Sequence, residues 1–353
     1  MRRSILVPFL TLAVLASGLA TAAAQGPKGF EGTPASITSI PLPRECPNEI
    51  LSMAFGEGSL WMSCHTVGPI WQHQEAKTFR IDPGTHETLA TFPICGRLAV
   101  GEGAIWLTEF PRFRKLYKID PRTNQIVASL PLNLGEAGRI VVGEGGVWLS
   151  RQDLASIISG HGGGNHIVRV DPQTAQVTAT LPVDHLVLDL AVGEGAVWIL
   201  CGLNSLTTTQ QEVWCLDPHT NQVVAKVPVS RWTRHLWAGE GWVWTLEYST
   251  EFTGPPAVTV RRINPSTRRL EGGPIAMPRH GYWAAAVGLG SLWVSQYEER
   301  LPAALSRVNA QTGQVTVLPG GTTNQLPQAV VIGDQAVWVG SSTRLPVLDR
   351  VQP

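Results

Sequence analysis

Charge is scarce in this sequence and balanced where it occurs. The 353 residues carry 27 Lys and Arg against 27 Asp and Glu, and only 15% of positions are charged, below the roughly 25% of an ordinary globular domain. There is no basic surplus and no block of like charge, so the electrostatic footprint of a nucleic-acid or membrane-surface binder is missing. Long apolar runs are scarce too. One covers residues 5–20, and no second follows that is long enough to cross a bilayer. Cysteine is limited to Cys46, Cys64, Cys95, Cys201 and Cys215. An odd number excludes a framework in which every thiol is paired within the chain.

The one long apolar run has the layout of an export signal. Arg2 and Arg3 precede it, and Ala22-Ala23-Ala24 supply the small residues of a cleavage site. This predicts a secretory signal peptide over 1–24, cut near Ala24, and a periplasmic or secreted chain. No cysteine stands at the cleavage site, which argues against a lipid anchor. In an oxidising compartment a disulfide is permitted. The mature chain divides into a loose arm, 25–34, and one domain, 35–353.

Glycine (36), proline (26) and tryptophan (13) are plentiful, as expected of many short buried strands joined by turns. One phrase recurs through the whole chain. Gly56-Glu57-Gly58-Ser59-Leu60-Trp61 returns as Gly101-Glu102-Gly103-Ala104-Ile105-Trp106 and as Gly143-Glu144-Gly145-Gly146-Val147-Trp148. Further copies end at Trp198, Trp244, Trp293 and Trp338, so seven repeats of 42 to 50 residues are present. A second phrase lies between them: Ile81-Asp82-Pro83-Gly84-Thr85, Ile119-Asp120-Pro121-Arg122-Thr123, Val170-Asp171-Pro172-Gln173-Thr174 and weaker copies. Asp followed by Pro starts a tight turn. The strand after each turn ends near a proline (Pro93, Pro131, Pro182, Pro228, Pro274, Pro319), which has no N–H for a ladder and belongs on a sheet edge. Four short strands per repeat of this length make a propeller blade. The expected fold is therefore all-β: a seven-bladed β-propeller with four-stranded blades.

The ends of the repeat array fit together. The last repeat stops at Pro353, where its second turn should begin, and lacks a fourth strand. An orphan strand at 36–42, Ser36-Ile37-Thr38-Ser39-Ile40-Pro41-Leu42, matches 177–183 in phase. It is expected to complete the last blade and remove two open sheet edges.

Variable loops on a rigid scaffold are where function sits. Here they are 64–76, 109–115, 151–166, 201–212, 247–257 and 296–304, all on the rim opposite the turns. Four residues before each turn glycine come Ser52, Arg97, Arg139, Asp189, His235, Ala284 and Ala329. These should ring the mouth of the central channel, since first strands line the axis. Arg97, Arg139, Asp189 and His235, with Arg234 and Trp232 beside His235 and Trp283 in the sixth repeat, are the candidate ligand-binding residues. The arginines suit a carboxylate or phosphate, and the tryptophans suit stacking. His235 and Glu247 are the candidate catalytic pair, a base with its orienting carboxylate. The alternative is that Arg97–Glu109 and its equivalents are ion pairs bracing each blade. No metal site is expected: His161 and His166 flank a glycine run and do not fill a zinc shell. The turn glutamates read as surface charge. Cys46 and Cys64 lie at one rim of the first blade and form the expected disulfide, with Cys64–Cys95 as its competitor.

The paired phrases, as in Gly193-Glu194-Gly195-Ala196-Val197-Trp198 and Val170-Asp171-Pro172-Gln173-Thr174, resemble those of the YVTN/YncE-like bacterial propellers, over nearly all of the mature chain. Trp106-Leu107-Thr108-Glu109 is similar, more distantly, to the repeat tail of virginiamycin B lyase-like propellers. The resemblance implies the fold and leaves function open. The expected role is a monomeric ligand-binding or protein-interaction module, taking a small anion or a protein partner at the variable rim, with no cofactor. The alternative is a lyase or hydrolase of the lyase-like or gluconolactonase-like kind, assisted by a divalent metal at the channel mouth.

Overall fold

The Gly-Glu-Gly phrase builds the commonest joint of the molecule. In Glu57-Gly58, Glu102-Gly103, Glu144-Gly145 and Glu194-Gly195 both central residues have positive φ, near +50° for the glutamate and near +70° for the glycine. That is the I′ hairpin turn, whose twist matches that of the strands it joins. Left-handed backbone is unfavourable for glutamate, and the side chain has a compensating role. Glu102, Glu144 and Glu194 each accept, through Oε1, the N–H of Gly145, Gly195 and Gly241 in the next turn along, at 2.9–3.0 Å. The glutamates are exposed but do more than solvate the surface: they tie neighbouring repeats.

The computed structural model describes residues 36–43, 45–46, 49–66, 76–110, 114–132, 137–151, 164–202, 210–249, 257–279, 281–298, 301–318, 326–342 and 347–353. The expected signal peptide and arm lie outside them. The described residues form seven four-stranded antiparallel sheets. Blades one to six run in chain order over 49–92, 96–131, 137–183, 187–230, 233–276 and 281–318. The seventh takes three strands from 326–352 and its outermost from Ser36–Pro41, which pairs antiparallel with Val347–Gln352 in the register Thr38↔Arg350. Each first strand touches the first strand of the next blade, and the seventh touches the first, so the ring is closed.

Second strands are buried almost throughout and fourth strands are largely exposed. The seven repeat tryptophans are among the largest fully buried side chains, each against a neighbouring sheet. Six of them donate Nε1–H to the first glycine of their own turn, as Trp198 does to Gly193 at 3.2 Å. Cations from the third strand cover several of these rings and cross to the next blade. Arg169 lies 4.9 Å from the Trp148 ring and donates to Pro218 O (2.6 Å) and Asn221 Oδ1 (3.1 Å). Arg80 over Trp61 reaches the Pro121 carbonyl and Asn124 in the same way. The two recurring phrases are thus halves of one inter-blade joint, which makes the scaffold rigid where its loops vary.

Candidate functional site at the channel mouth

Six of the seven first strands break register at the same place. The shift falls between Ile50 and Ser52, Ala137 and Ile140, Val187 and Asp189, Thr233 and His235, Tyr282 and Ala284, and Pro327 and Ala329. Only blade two, Gly96–Gly101, pairs without a shift. A β-bulge bends the strand and re-aims the side chains beside it. Arg139 and Arg234 sit within such bulges, and Asp189 and His235 directly follow them.

These re-aimed residues meet across three consecutive blades. Asp189, with a side chain only 8% exposed, pairs with Arg139 Nε at 3.0 Å and with His235 Nδ1 at 3.0 Å. Its two oxygens also accept the backbone N–H of Leu190 (2.9 Å) and Leu236 (3.2 Å). Arg139 Nη2 lies 3.2 Å from His235 Nδ1. The Nδ1 edge of the imidazole is thus the one turned toward Asp189 and Arg139. The Arg139 side chain keeps 41% of its exposure, so part of the guanidinium remains free.

Tyr282 of blade six, which with Trp283 holds in its repeat a place similar to that of Trp232 and Arg234 in theirs, adds an aromatic wall. Its ring meets His235 edge-on at 5.3 Å and Tyr248 at 6.0 Å, while Trp237 lies 5.8 Å from His235. Burial pushes the Tyr282 phenol up to about 12, with Arg234 and Arg139 pulling it down and Asp189 and Tyr248 raising it. Tyr282 stands one bulge before the sixth member of the mouth series, Ala284.

The pairing of Glu247 with His235 is not what forms. His235 is opposite Leu246, and Glu247 is opposite Thr233. The bulge moves the register by one, and adjacent residues of a strand point to opposite faces. His235 takes its carboxylate from the neighbouring blade instead. Glu247 stands near Arg261, and burial raises its carboxyl above the usual range despite that cation. Glu247 Oε1, Arg261 Nε, Thr233 Oγ1 and Thr245 Oγ1 are all buried with no hydrogen-bond partner among the described residues. Arg97 likewise faces Thr108 in its ladder, while Glu109 faces Gly96 and accepts from Tyr117. Arg97 Nη1 donates to the carbonyl of Gly138, next to Arg139.

Trp232 stacks with arginine, its ring 4.7 Å from Arg231 and 5.9 Å from Arg234. The side chain of Trp283 lies outside the described residues, as do His161 and most of its loop. A disulfide joins Cys46 to Cys64, with Cα atoms 6.0 Å apart. Cys95, Cys201 and Cys215 are buried free thiols; burial pushes Cys95 up to about 11 and raises the other two as well, so none is poised as a nucleophile. Among the described residues no group of three His, Cys, Asp or Glu side chains is placed to hold a metal ion, and no helix is long and apolar enough to cross a membrane.

No protein-family model and no curated protein matches the chain. Its fold has clear counterparts among solved structures. Hydrazine synthase of Kuenenia stuttgartiensis superposes with a TM-score of 0.63 at 9% identity, covering 88% of this chain and 97% of that one. Virginiamycin B lyase of Staphylococcus aureus superposes at 0.60 with 14% identity, covering 90% and 99%. A catalytically inactive histidine-to-alanine variant of the same lyase, solved with Quinupristin, gives 0.61 at 13% identity with the same coverage. At these identities the likeness establishes the seven-bladed propeller and nothing finer.

Proposed function

We propose that this chain is an exported, YVTN/YncE-like propeller that binds a small anionic ligand at the channel mouth, on the rim of the variable loops. The observation that carries this reading is the partly exposed side chain of Arg139, held by Asp189 beside His235. A cation anchored on one edge and open on the other is preorganised for a carboxylate or phosphate. Arg234, with no carboxylate partner among the described residues, adds a second positive charge. Thermal-shift titration of the mature chain with acetate, benzoate and inorganic phosphate tests this. We expect at least one anion to raise the melting temperature, and Arg139→Ala to abolish that rise. If no anion shifts the parent protein, the reading is wrong.

A second reading is favoured by the His235–Asp189 contact itself. A histidine with Nδ1 held by a buried carboxylate and Nε2 free has the layout of a general base, which is the arrangement a lyase or hydrolase at this mouth needs. The virginiamycin B lyase structures add an analogy in fold, and in that protein a histidine-to-alanine change accompanies loss of catalysis. Incubation with virginiamycin B or Quinupristin, with and without divalent metal, followed by mass spectrometry, tests it. Consumption that disappears in His235→Ala supports catalysis; no consumption under any condition leaves the binding role alone.

A further inference from the structure

The mouth holds two polar groups that no described residue satisfies. The Tyr282 hydroxyl makes no hydrogen bond among the described residues, although its ring is packed against His235 and Tyr248. Arg234, within a bulge of the neighbouring blade, has no carboxylate and no hydrogen-bond acceptor there either; its only close partner is the Trp232 ring. Arg234 directly precedes His235, whose ring meets Tyr282 edge-on at 5.3 Å and lies 3.2 Å from Arg139 Nη2 at Nδ1. The Tyr248 ring lies beyond Tyr282, and the Tyr248 backbone N–H is bound to Trp232 O at 2.9 Å, which fixes the tyrosine and tryptophan on one wall.

A tyrosine hydroxyl and an arginine with no protein partner are left to water, and are free to turn to a ligand. Arg234, the open edge of Arg139 and the Tyr282 O–H all offer donors. The surfaces between them are aromatic rings. A small hydrated inorganic anion would use the donors and waste the rings. Resting on the anion-binding reading above, we infer that the preferred ligand is a carboxylate carried on an apolar or aromatic body, its carboxylate held by Arg234, Arg139 and the Tyr282 hydroxyl, and its body lying against Tyr282, Tyr248 and Trp232. The phenol keeps its proton through the physiological range, so it serves the carboxylate as a donor at any ordinary pH.

Isothermal titration of the mature chain with benzoate, acetate and inorganic phosphate tests this, with Tyr282→Phe and Arg234→Gln as variants. Benzoate should bind at least tenfold more tightly than acetate or phosphate. Tyr282→Phe, which keeps the ring and drops one donor, should weaken benzoate about fivefold to tenfold. Arg234→Gln should weaken it more. Both variants should keep the parent's urea midpoint; if one does not, the other carries the test. Binding of acetate or phosphate as tightly as benzoate overturns the inference while leaving anion binding intact. So does an unchanged benzoate affinity in both variants. Failure of all three anions overturns the inference together with the reading it rests on.

Discussion

Glu247 should make this protein more stable in weak acid than at neutral pH, through one side chain. Its carboxyl is half buried beside Arg261, and burial outweighs that cation in setting its affinity for protons. A carboxyl with a raised folded value binds more protons folded than unfolded. Stability from this group is therefore complete below the unfolded value, near the ordinary 4.5, falls as pH rises through the raised folded value, and is level above it. Glu247→Gln keeps the shape and cannot ionise. It can also offer an N–H to the buried, unpartnered Thr233 Oγ1 or Thr245 Oγ1. The group is not fully buried, so the effect is discounted for solvent screening to about 1 kcal/mol at neutral pH. The assay is urea unfolding of both proteins from pH 4 to 8. The two curves should coincide near pH 4 and part as pH rises, with the Gln protein the more stable. A gap that is flat across this range, or that opens in favour of Glu, refutes the reasoning; the latter would mean that the Arg261 attraction dominates.

Two further changes test the scaffold. A chain starting at Arg44 lacks Ser36–Pro41 and uncovers Leu348 and Val351, both fully buried in the intact protein. It should lose several kcal/mol and aggregate on heating, and a melting temperature equal to that of a chain starting at Gln25 would contradict the closure energetics. Replacing Cys46 and Cys64 by serine opens a loop of sequence separation 18, which should cost about 3 kcal/mol in the chain-entropy model. Chemical denaturation under non-reducing conditions measures it.

Fold and site were unequally legible in the sequence, for a physical reason. A turn that needs positive φ twice in succession, and a tryptophan that must fill the gap between sheets, constrain residue type at every repeat, so seven copies survive as a readable period. Closure was legible because a missing strand at one end and a spare one at the other are countable. The mouth residues were found by offset from the turn glycine, and the offset led to Arg139, Asp189 and His235, which do meet. Their partners were not legible. A bulge leaves no fixed residue signature, yet one extra residue exchanges which neighbour a side chain faces. That is why Glu247 turns toward Thr233 and Arg261.

Blade two, the one without a bulge, supplies an internal control. Arg97 and Arg139 occupy equivalent places by sequence, yet the regular strand directs Arg97 to the carbonyl of Gly138 in the next blade, while the bulged strand turns Arg139 toward Asp189 and the open mouth. The same residue type should therefore have different phenotypes at the two positions. Arg97→Ala removes a charge-assisted bond that joins two blades and strands a carbonyl, which should cost about 1–2 kcal/mol with no ligand present. Arg139→Ala removes a side chain that is 41% exposed; the buried Asp189 keeps His235 and two backbone N–H groups as partners, so the loss should stay within about 1–2 kcal/mol, while the response to anions disappears. Parallel urea unfolding and anion titration of the two variants separate the cases. Loss of anion response in Arg97→Ala with unchanged stability, or a large stability loss in Arg139→Ala, would reverse the assignment and make Arg139 the brace.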